Sequence, residues 1–509
     1  MMSSEFLNYT QTNSKTSDIS AEPSADPAHF KADALVVFLE SDGLRGPLIE
    51  IDKSTGGLLQ QLFQQGELTG KRYECIPLYA PNGLACKQLL IVGIGSREEV
   101  HAGVLYEASG AAARRLSGQP RATIGFLADG TWSNEELEQA VAGSIMGVAG
   151  QDLYRSEKHQ TPFEKTVWLQ APVEVVQRGS IIGTGVKLAR RLVNMPPDDL
   201  YPETFAEEAA TIAGRVGLEI EIWDQARLER ERCDALLAVA RGSTRSPRIV
   251  LLHYRGPGCN DTSPKVAFVG KGVTFDSGGL SLKTSEGMLA MKCDMAGAAA
   301  ALGAIASIAA LKIPIHVVAA VGLVENMTGG NAYKLGDVVT ARSGTTIEIH
   351  NTDAEGRVVL ADVLDVVADL KPSCIIDAAT LTGACMVALG RDIAGIFTNN
   401  QAYCDVLENA ATSVGERVWQ LPMDKDFNSQ IFSDIADIKN VGDGRLGGAI
   451  TAAKLLERFV RNIPWIHVDI AGPAFADKPR PSIAGGGTGS MVRSFIEFAK
   501  RIASIKLDE

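Results

Sequence analysis

From Ala34 onward, short apolar runs alternate with stretches whose apolar positions recur at helical spacing. Residues 35–39, 89–92, 122–127 and 166–169 read as strands, and 57–64, 104–116 and 135–147 as amphipathic helices between them. Ser133 with Glu136 predicts a capping box at the start of the last of these helices. The alternation implies an α/β layer with a largely parallel sheet. A further helix runs over 181–194 and stops at Met195-Pro196-Pro197-Asp198-Asp199, because Pro cannot continue a helix and pushes its predecessor out of the α region.

The second half repeats the pattern on a larger scale. Residues 249–252 and 266–269 are continuous apolar runs, as expected of strands covered on both faces. Further strands are predicted at 315–321, 346–349, 374–376 and 466–470, and helices at 295–311, 357–369 and 449–461. No tandem repeat of fixed period appears, which sets aside solenoids and propellers. The pattern divides the chain into a flexible tail over 1–30, a smaller N-terminal α/β domain over 31–178, a connecting helix and linker over 179–200, and a larger C-terminal α/β domain over 201–509. The larger domain should carry a mixed, largely parallel sheet covered by helices.

Composition narrows the class. At 509 residues, with 45% hydrophobic and 22% charged residues, the chain suits a soluble globular protein of at least two domains. Lys and Arg total 49 against 61 Asp and Glu, a net charge of -12, so there is no global basic footprint for nucleic acid. The eight cysteines show no CxxC pair and no framework spacing, and read as reduced thiols of a cytoplasmic protein. No signal peptide stands out, and the longest apolar run, 295–311, is short for a membrane span of about 20 residues. It reads as a buried helix, so no membrane partner is expected.

Candidate chemistry collects where strands end. After Val269 come Lys271, Asp276-Ser277-Gly278-Gly279, Lys283 and then Met291-Lys292-Cys293-Asp294; after Ile349 comes His350-Asn351-Thr352-Asp353-Ala354-Glu355-Gly356-Arg357. In open α/β sheets, sites form beyond the carboxyl ends of the strands. Four carboxylates gathered there repel one another unless protonated, paired with cations or neutralised by metal. Oxygen-rich sites suit hard or borderline divalent ions, and a pair of ions can generate hydroxide and polarise a carbonyl. Singly, each residue has a plainer reading: Asp276 as a turn residue, Asp353 and Glu355 as acids favoured at a helix N-terminus, Lys271 and Lys283 as solvated side chains. A two-metal phosphoester hydrolase would use similar parts. Gly442 to Gly447 satisfies G-x-G-x-x-G, but no apolar strand leads into it, which argues against dinucleotide binding. There is no HExxH, and the seven histidines are dispersed; His350 reads as a packed or hydrogen-bonded residue at a strand end.

The blocks Asn351 to Arg357, Lys271 to Gly279, Met291 to Met295, Asp377 to Gly383, Asp437 to Asn440, Gly447 to Ala452 and Asp469 to Gly472 together resemble the leucyl aminopeptidase family, the cytosol aminopeptidases of the M17 type. The resemblance covers roughly residues 185–495 and makes the C-terminal domain the catalytic one. It implies a two-metal aminopeptidase that releases N-terminal leucine and other apolar residues from peptides with a free N-terminus by metal-activated hydroxide attack. Mn or Zn would occupy the sites, with Mg and Co also suitable. The tighter ion would be held by Lys271, Asp276, Asp294 and Glu355, and the more exchangeable one by Asp276, Asp353 and Glu355, with the Asp353 carbonyl. Lys271 would act as a neutral amine. Lys283 would polarise the scissile carbonyl, and Arg357 would hold a bicarbonate ion as general base. Met291, Thr380, Gly383 and Ala471 would line the pocket for the first side chain. The resemblance also implies a homohexamer. Some bacterial members of the family bind DNA, a role the acidic balance of this chain disfavours.

Overall fold

The computed structural model describes residue 6 and residues 18–260, 263–444 and 446–504. Two sheets organise them. The first contains β1 (Asp18–Glu22), β2 (Ala34–Glu40), β3 (Cys75–Tyr79), β4 (Gln88–Gly95), β5 (Thr123–Leu127) and β6 (Lys165–Leu169), in the order β1-β6-β5-β2-β4-β3. Only β3 runs antiparallel to its neighbour. Apolar side chains cover both faces, which is why β2 and β4 are buried along their whole length.

The second sheet has eight strands. In chain order they are β7 (Glu219–Trp223), β8 (Arg248–Arg255), β9 (Lys265–Asp276) and β10 (His316–Asn326), then, beyond β11 (Val338–Thr340) and β12 (Thr346–Glu348), β13 (Cys374–Ala379), β14 (Ile393–Thr398), β15 (Arg417–Gln420) and, after β16 (Ile438–Lys439), β17 (Trp465–Asp469). Their spatial order is β15-β14-β17-β13-β9-β10-β8-β7, while β11, β12 and β16 form a small separate sheet. The four central strands β17, β13, β9 and β10 are mutually parallel, and β8, β7 and the β14–β17 pairing are antiparallel. The sheet is therefore mixed, with a parallel centre. Helix Ala296–Ala310 packs against one face and helix Glu355–Asp369 against the other. The stretch Met291–Ala310 has the length and composition of a membrane span, but residues 293–309 are all buried inside the protein, as a core helix is.

Two boundaries differ from the sequence pattern. The expected tail over 1–30 is interrupted by β1, which pairs in parallel with β6 from Asp18↔Lys165 to Glu22↔Leu169. Asp18-Ile19-Ser20-Ala21-Glu22 carries only two apolar residues, Ile19 and Ala21, which pack on the core; such an edge strand leaves little local signal. Residues 1–5 and 7–17 of that tail lie outside the described residues. The connecting helix begins at Val173 rather than near 180, with Pro172 as its N-cap. It lies against both Asn134–Gly147 and Ala296–Ala310, and so joins the two halves by packing as well as by chain.

The capping box forms as read: Ser133 Oγ accepts the Glu136 amide at 3.1 Å, and Glu136 Oε2 accepts the Ser133 amide at 2.8 Å. Ser133→Ala should destabilise this helix by about 1 kcal/mol. Native-state hydrogen exchange should show the loss as faster exchange in the first turn after Ser133.

Candidate metal centre

Because β10, β9, β13 and β17 run parallel, their carboxyl ends share one edge of the sheet. Asn326, Asp276, Ala379 and Asp469 end these strands, and the loops beyond them form the site. Lys271 lies inside β9, on the face whose Val269 and Val273 pack beneath helix Glu355–Asp369. Strict alternation would turn Asp276, five residues on, to the opposite face. The β9–β10 register instead shifts once, from Val324↔Val273 to Glu325↔Phe275, which leaves Thr274 as an extra residue. Such a bulge resets the alternation and returns Asp276 to the side of Lys271.

Helix Glu355–Asp369 brings its N-terminus over this edge, so Glu355 and Arg357 enter from above. Gly356 is what lets it approach. A Cβ there would lie 2.6 Å from Lys271 Cε and Nζ. The fully buried Lys271 ammonium sits 2.8 Å from both Asp294 Oδ2 and Glu355 Oε1, and donates to the Thr380 carbonyl at 3.0 Å. Lys283, from the loop after Gly278-Gly279, pairs with Asp276 Oδ2 at 2.8 Å and with Asp353. Among the described residues, carboxylate oxygens of Asp276, Asp353 and Glu355 come within 4.8 Å of one another. Asp276, Asp294, Asp353, Glu355, Lys271 and Lys283, which the sequence offers as able to converge, lie together here.

The electrostatics follow from crowding. Burial raises the Asp294 carboxyl well above its ordinary value; Lys271 pulls it back, while Glu355 and Asp276 push it further up. Burial likewise raises Glu355 and Asp353. For Lys271, burial acts downward but the carboxylates of Asp294, Glu355 and Asp276 outweigh it, so the amine is held protonated above its usual range. The same balance, led by Asp276, holds Lys283 up. The expected neutral amine at Lys271 is thus not its state when it alone faces these acids. It becomes available only when another cation takes over their charge. Four carboxylates against two ammonium groups leave a formal excess of two negative charges. Glu355 Oε2 is buried without a hydrogen-bond partner among the described residues, a costly arrangement for a carboxylate oxygen. Both features fit a divalent cation.

Buried amides hold the acids in place. Asn326 donates from Nδ2 to Asp276 Oδ1 at 2.8 Å and to the Thr352 carbonyl at 2.9 Å, and the Tyr333 hydroxyl donates to that same carbonyl at 2.8 Å. The Asn440 Oδ1 accepts the His350 and Asn351 amides at 2.8 and 3.3 Å, and its Nδ2 donates to the Asn351 carbonyl at 2.6 Å. Sequence reasoning did not single out Asn326 or Tyr333. The one local signal was a lone Asn closing an apolar strand.

The remaining candidates separate into those tied to the cluster and those beside it. Arg357 is buried, donates from one terminal nitrogen to the Asn440 carbonyl at 3.0 Å, and leaves Nε without a partner among the described residues; burial pulls its guanidinium down to about 10. Thr380 Oγ1 donates to Asp294 Oδ1 at 2.7 Å. Gly383 opens the helix Gly383–Leu389 with nothing within 4 Å of a built Cβ, and Ala471 follows β17 with its amide on Asp469. Met291 is half-buried at the head of the short turn that leads to Asp294. His350 pairs with Glu348 at 2.8 Å, the plain role expected of it. The glycine run from Gly442 is preceded only by the two-residue β16, and its Arg445 lies outside the described residues.

Known proteins share this layout. The model of the cytosol aminopeptidase family catalytic domain matches residues 187–496, and that of the family's N-terminal domain matches residues 34–158. A probable cytosol aminopeptidase from Rhodopirellula baltica is 49% identical over 449 residues, covering 88% of each chain. One from Aquifex aeolicus is 39% identical and covers 94% of this chain and 97% of its own. Among solved structures, a tomato leucine aminopeptidase mutant superposes with a TM-score of 0.86 at 30% identity, covering 96% of this chain and 98% of that one. The bottromycin maturation enzyme BotP in complex with Mn gives 0.81 at 33% identity, covering 93% and 100%.

The close approach of Gly356 to Lys271 makes a sharp test. Gly356→Ala should displace the Lys271 amine and weaken Mn binding about 10–100-fold, the range seen when groups that orient metal ligands are disturbed. Gly383→Ala, in open space, should leave it unchanged; titration calorimetry on both variants measures the difference.

Proposed function

Because the chain belongs to the cytosol aminopeptidase family and is a metallo-aminopeptidase, we propose that it releases N-terminal residues, leucine and other apolar ones foremost, from peptides with a free amine, using two divalent ions. The observation that carries this reading is the cluster of four carboxylates and two lysines, buried around Lys271 and open at Lys283 and Asp353, with its excess negative charge and a Glu355 oxygen that has no partner among the described residues. Lys271, Asp276, Asp294 and Glu355 would hold the tighter ion. Asp276, Asp353 and Glu355, with the Asp353 carbonyl, would hold the more exchangeable one. Mn or Zn suits this donor set, and Mg or Co are alternatives. When bound, such ions supply Lewis acidity and lower the pKa of water. A phosphoester hydrolase is disfavoured by the family matches and by a lysine buried among the carboxylates.

The side chains of this chain then have distinct tasks. On binding of an ion Lys271 would release its proton to solvent and exchange its role as counter-ion to Asp294 and Glu355 for that of a neutral amine ligand. Lys283, partly exposed at the mouth, keeps its proton and turns its ammonium to the scissile carbonyl, where it stabilises developing negative charge. Arg357 offers a buried guanidinium with an unused Nε, which suits a small planar anion; bicarbonate held there would serve as general base. The free α-amine of the substrate is the group that a carboxylate-rich site attracts, which limits cleavage to the first residue. Thr380 spends its hydroxyl on Asp294, so its methyl is left for the pocket. With Met291, Gly383 and Ala471, it makes an apolar receptacle whose Met can adapt to Leu-like side chains.

Family likeness also supports a cytoplasmic homohexamer with its active sites turned inward. Leu282, Leu289 and Val387, exposed on the segments that carry Lys283, Met291 and Gly383, are apolar surface that such an assembly would cover.

Metal-stripped protein should be inactive on leucine p-nitroanilide and recover when Mn or Zn is restored. Asp353→Ala and Lys283→Ala should each lower kcat/KM about 100-fold or more. N-acetylated substrate should not be cut. Full activity in both variants overturns the site assignment, and equal cleavage of the acetylated peptide points to an endopeptidase.

A further inference from the structure

Asp469 is fully buried at the end of β17, two residues before Ala471. Its carboxylate gathers three donors. Oδ1 accepts the Ala471 amide at 3.1 Å and the Leu381 amide at 3.3 Å, and Oδ2 accepts the Thr382 hydroxyl at 2.6 Å. Two of these donors lie on the loop leaving β13, between Thr380 and Gly383; the third is Ala471, on the loop leaving β17. One side chain thus ties together both loops that supply walls to the pocket for the first side chain. Thr382 extends the tie, because its Oγ1 also accepts the Cys385 amide at 3.0 Å and caps the helix Gly383–Leu389.

We propose that Asp469 is a positioning residue that sets side-chain selectivity by fixing the Thr380–Gly383 wall relative to Ala471. The inference rests on the aminopeptidase reading and names the group that governs its choice of substrate. Asp469 itself belongs neither to the carboxylate cluster around Lys271 and Lys283 nor to the pocket surface; it acts through the two loops. A carboxylate suits the task because it is acceptor-only with two oxygens, and three donors converge on it. An amide would keep one oxygen for the two backbone N–H groups but turn a donor toward Thr382, whose hydroxyl hydrogen would lose its acceptor. Loop separation decides how well a branched side chain is gripped. It matters least to a substrate with no side chain.

The experiment compares kcat/KM for leucine and glycine p-nitroanilides in the Mn-loaded full chain and in Asp469→Asn, Thr382→Val and Thr382→Ser. Wild type should prefer leucine. Asp469→Asn should lower the leucine-to-glycine ratio about tenfold, chiefly through KM for leucine, on the scale at which apolar pockets discriminate. Thr382→Val should lower it in the same direction, and Thr382→Ser, which keeps the hydroxyl, should restore it. If Asp469→Asn does not fold, the Thr382 pair decides. An unchanged ratio, or equal losses on both substrates, overturns the role of Asp469 while leaving the aminopeptidase reading intact. A wild-type chain that cleaves neither substrate overturns that reading, and this inference with it.

Discussion

Like charges forced together out of water constrain everything around them. Asp276, Asp294, Asp353 and Glu355 cannot all stay ionised in a buried space unless cations stand among them. In this chain Lys271 and Lys283 provide the first two, each shared between two of the acids. The local backbone then has to meet demands that ordinary strand and helix geometry does not. Thr274 bulges so that Asp276 faces Lys271, and a glycine at 356 lets a helix N-terminus close over the Lys271 side chain without displacing its amine.

A cluster built this way would drift if its acids hung on loops alone. Asn326 and Asn440 prevent that by holding backbone and side chain at once: Asn326 grips Asp276 and the peptide before Asp353, while Asn440 grips the turn from His350 to Ala354 and, through its carbonyl, Arg357. Primary amides suit these places because they donate and accept without adding charge to a site already overloaded with it. Both are fully buried, where a missing partner would be expensive. The carboxylates are therefore ordered by neutral groups and balanced by cationic ones, and the two tasks fall to different side chains.

This division explains what the sequence revealed. The long apolar runs at 249–252 and 266–269 belong to β8 and β9; Asp276 closes β9, while Asp294, Asp353 and Glu355 lie before or at the start of helices at the same edge, so the pattern pointed to a shared place without fixing it. The resemblance to a known family supplied their roles. Other features depend on partners far away in the chain and left no local mark. The edge strand β1 owes its existence to β6, and the bulge at Thr274 appears only against β10. Asp469 stood in a recognised block, yet nothing adjacent showed that its carboxylate would reach the loop after β13. Periodicity finds elements and motifs find chemistry, but a buried hydrogen bond between distant loops is visible only once the sheet has brought the loops together.

The N-terminal half also has a mechanical place. Beyond Ala471 the chain has little regular structure apart from the short antiparallel pairing of Phe475–Ala476 with Gly486–Gly487, and several of its backbone groups are met from across the domain boundary. Arg114 donates to the Arg480 carbonyl at 2.9 Å, and Gln151 to that of Ala484 at 3.3 Å. Arg190, in the helix joining the halves, donates to the Gly487 carbonyl at 2.8 Å, while Asn194 accepts the Gly487 amide at 2.8 Å. Irregular backbone keeps a buried course only where its polar groups find partners. The segment that continues the pocket wall is thus anchored at one end by Asp469, within the catalytic sheet, and further on by side chains of the N-terminal domain and connecting helix. Removing those partners would expose or orphan the groups they satisfy, so the geometry of this segment belongs to both halves of the molecule.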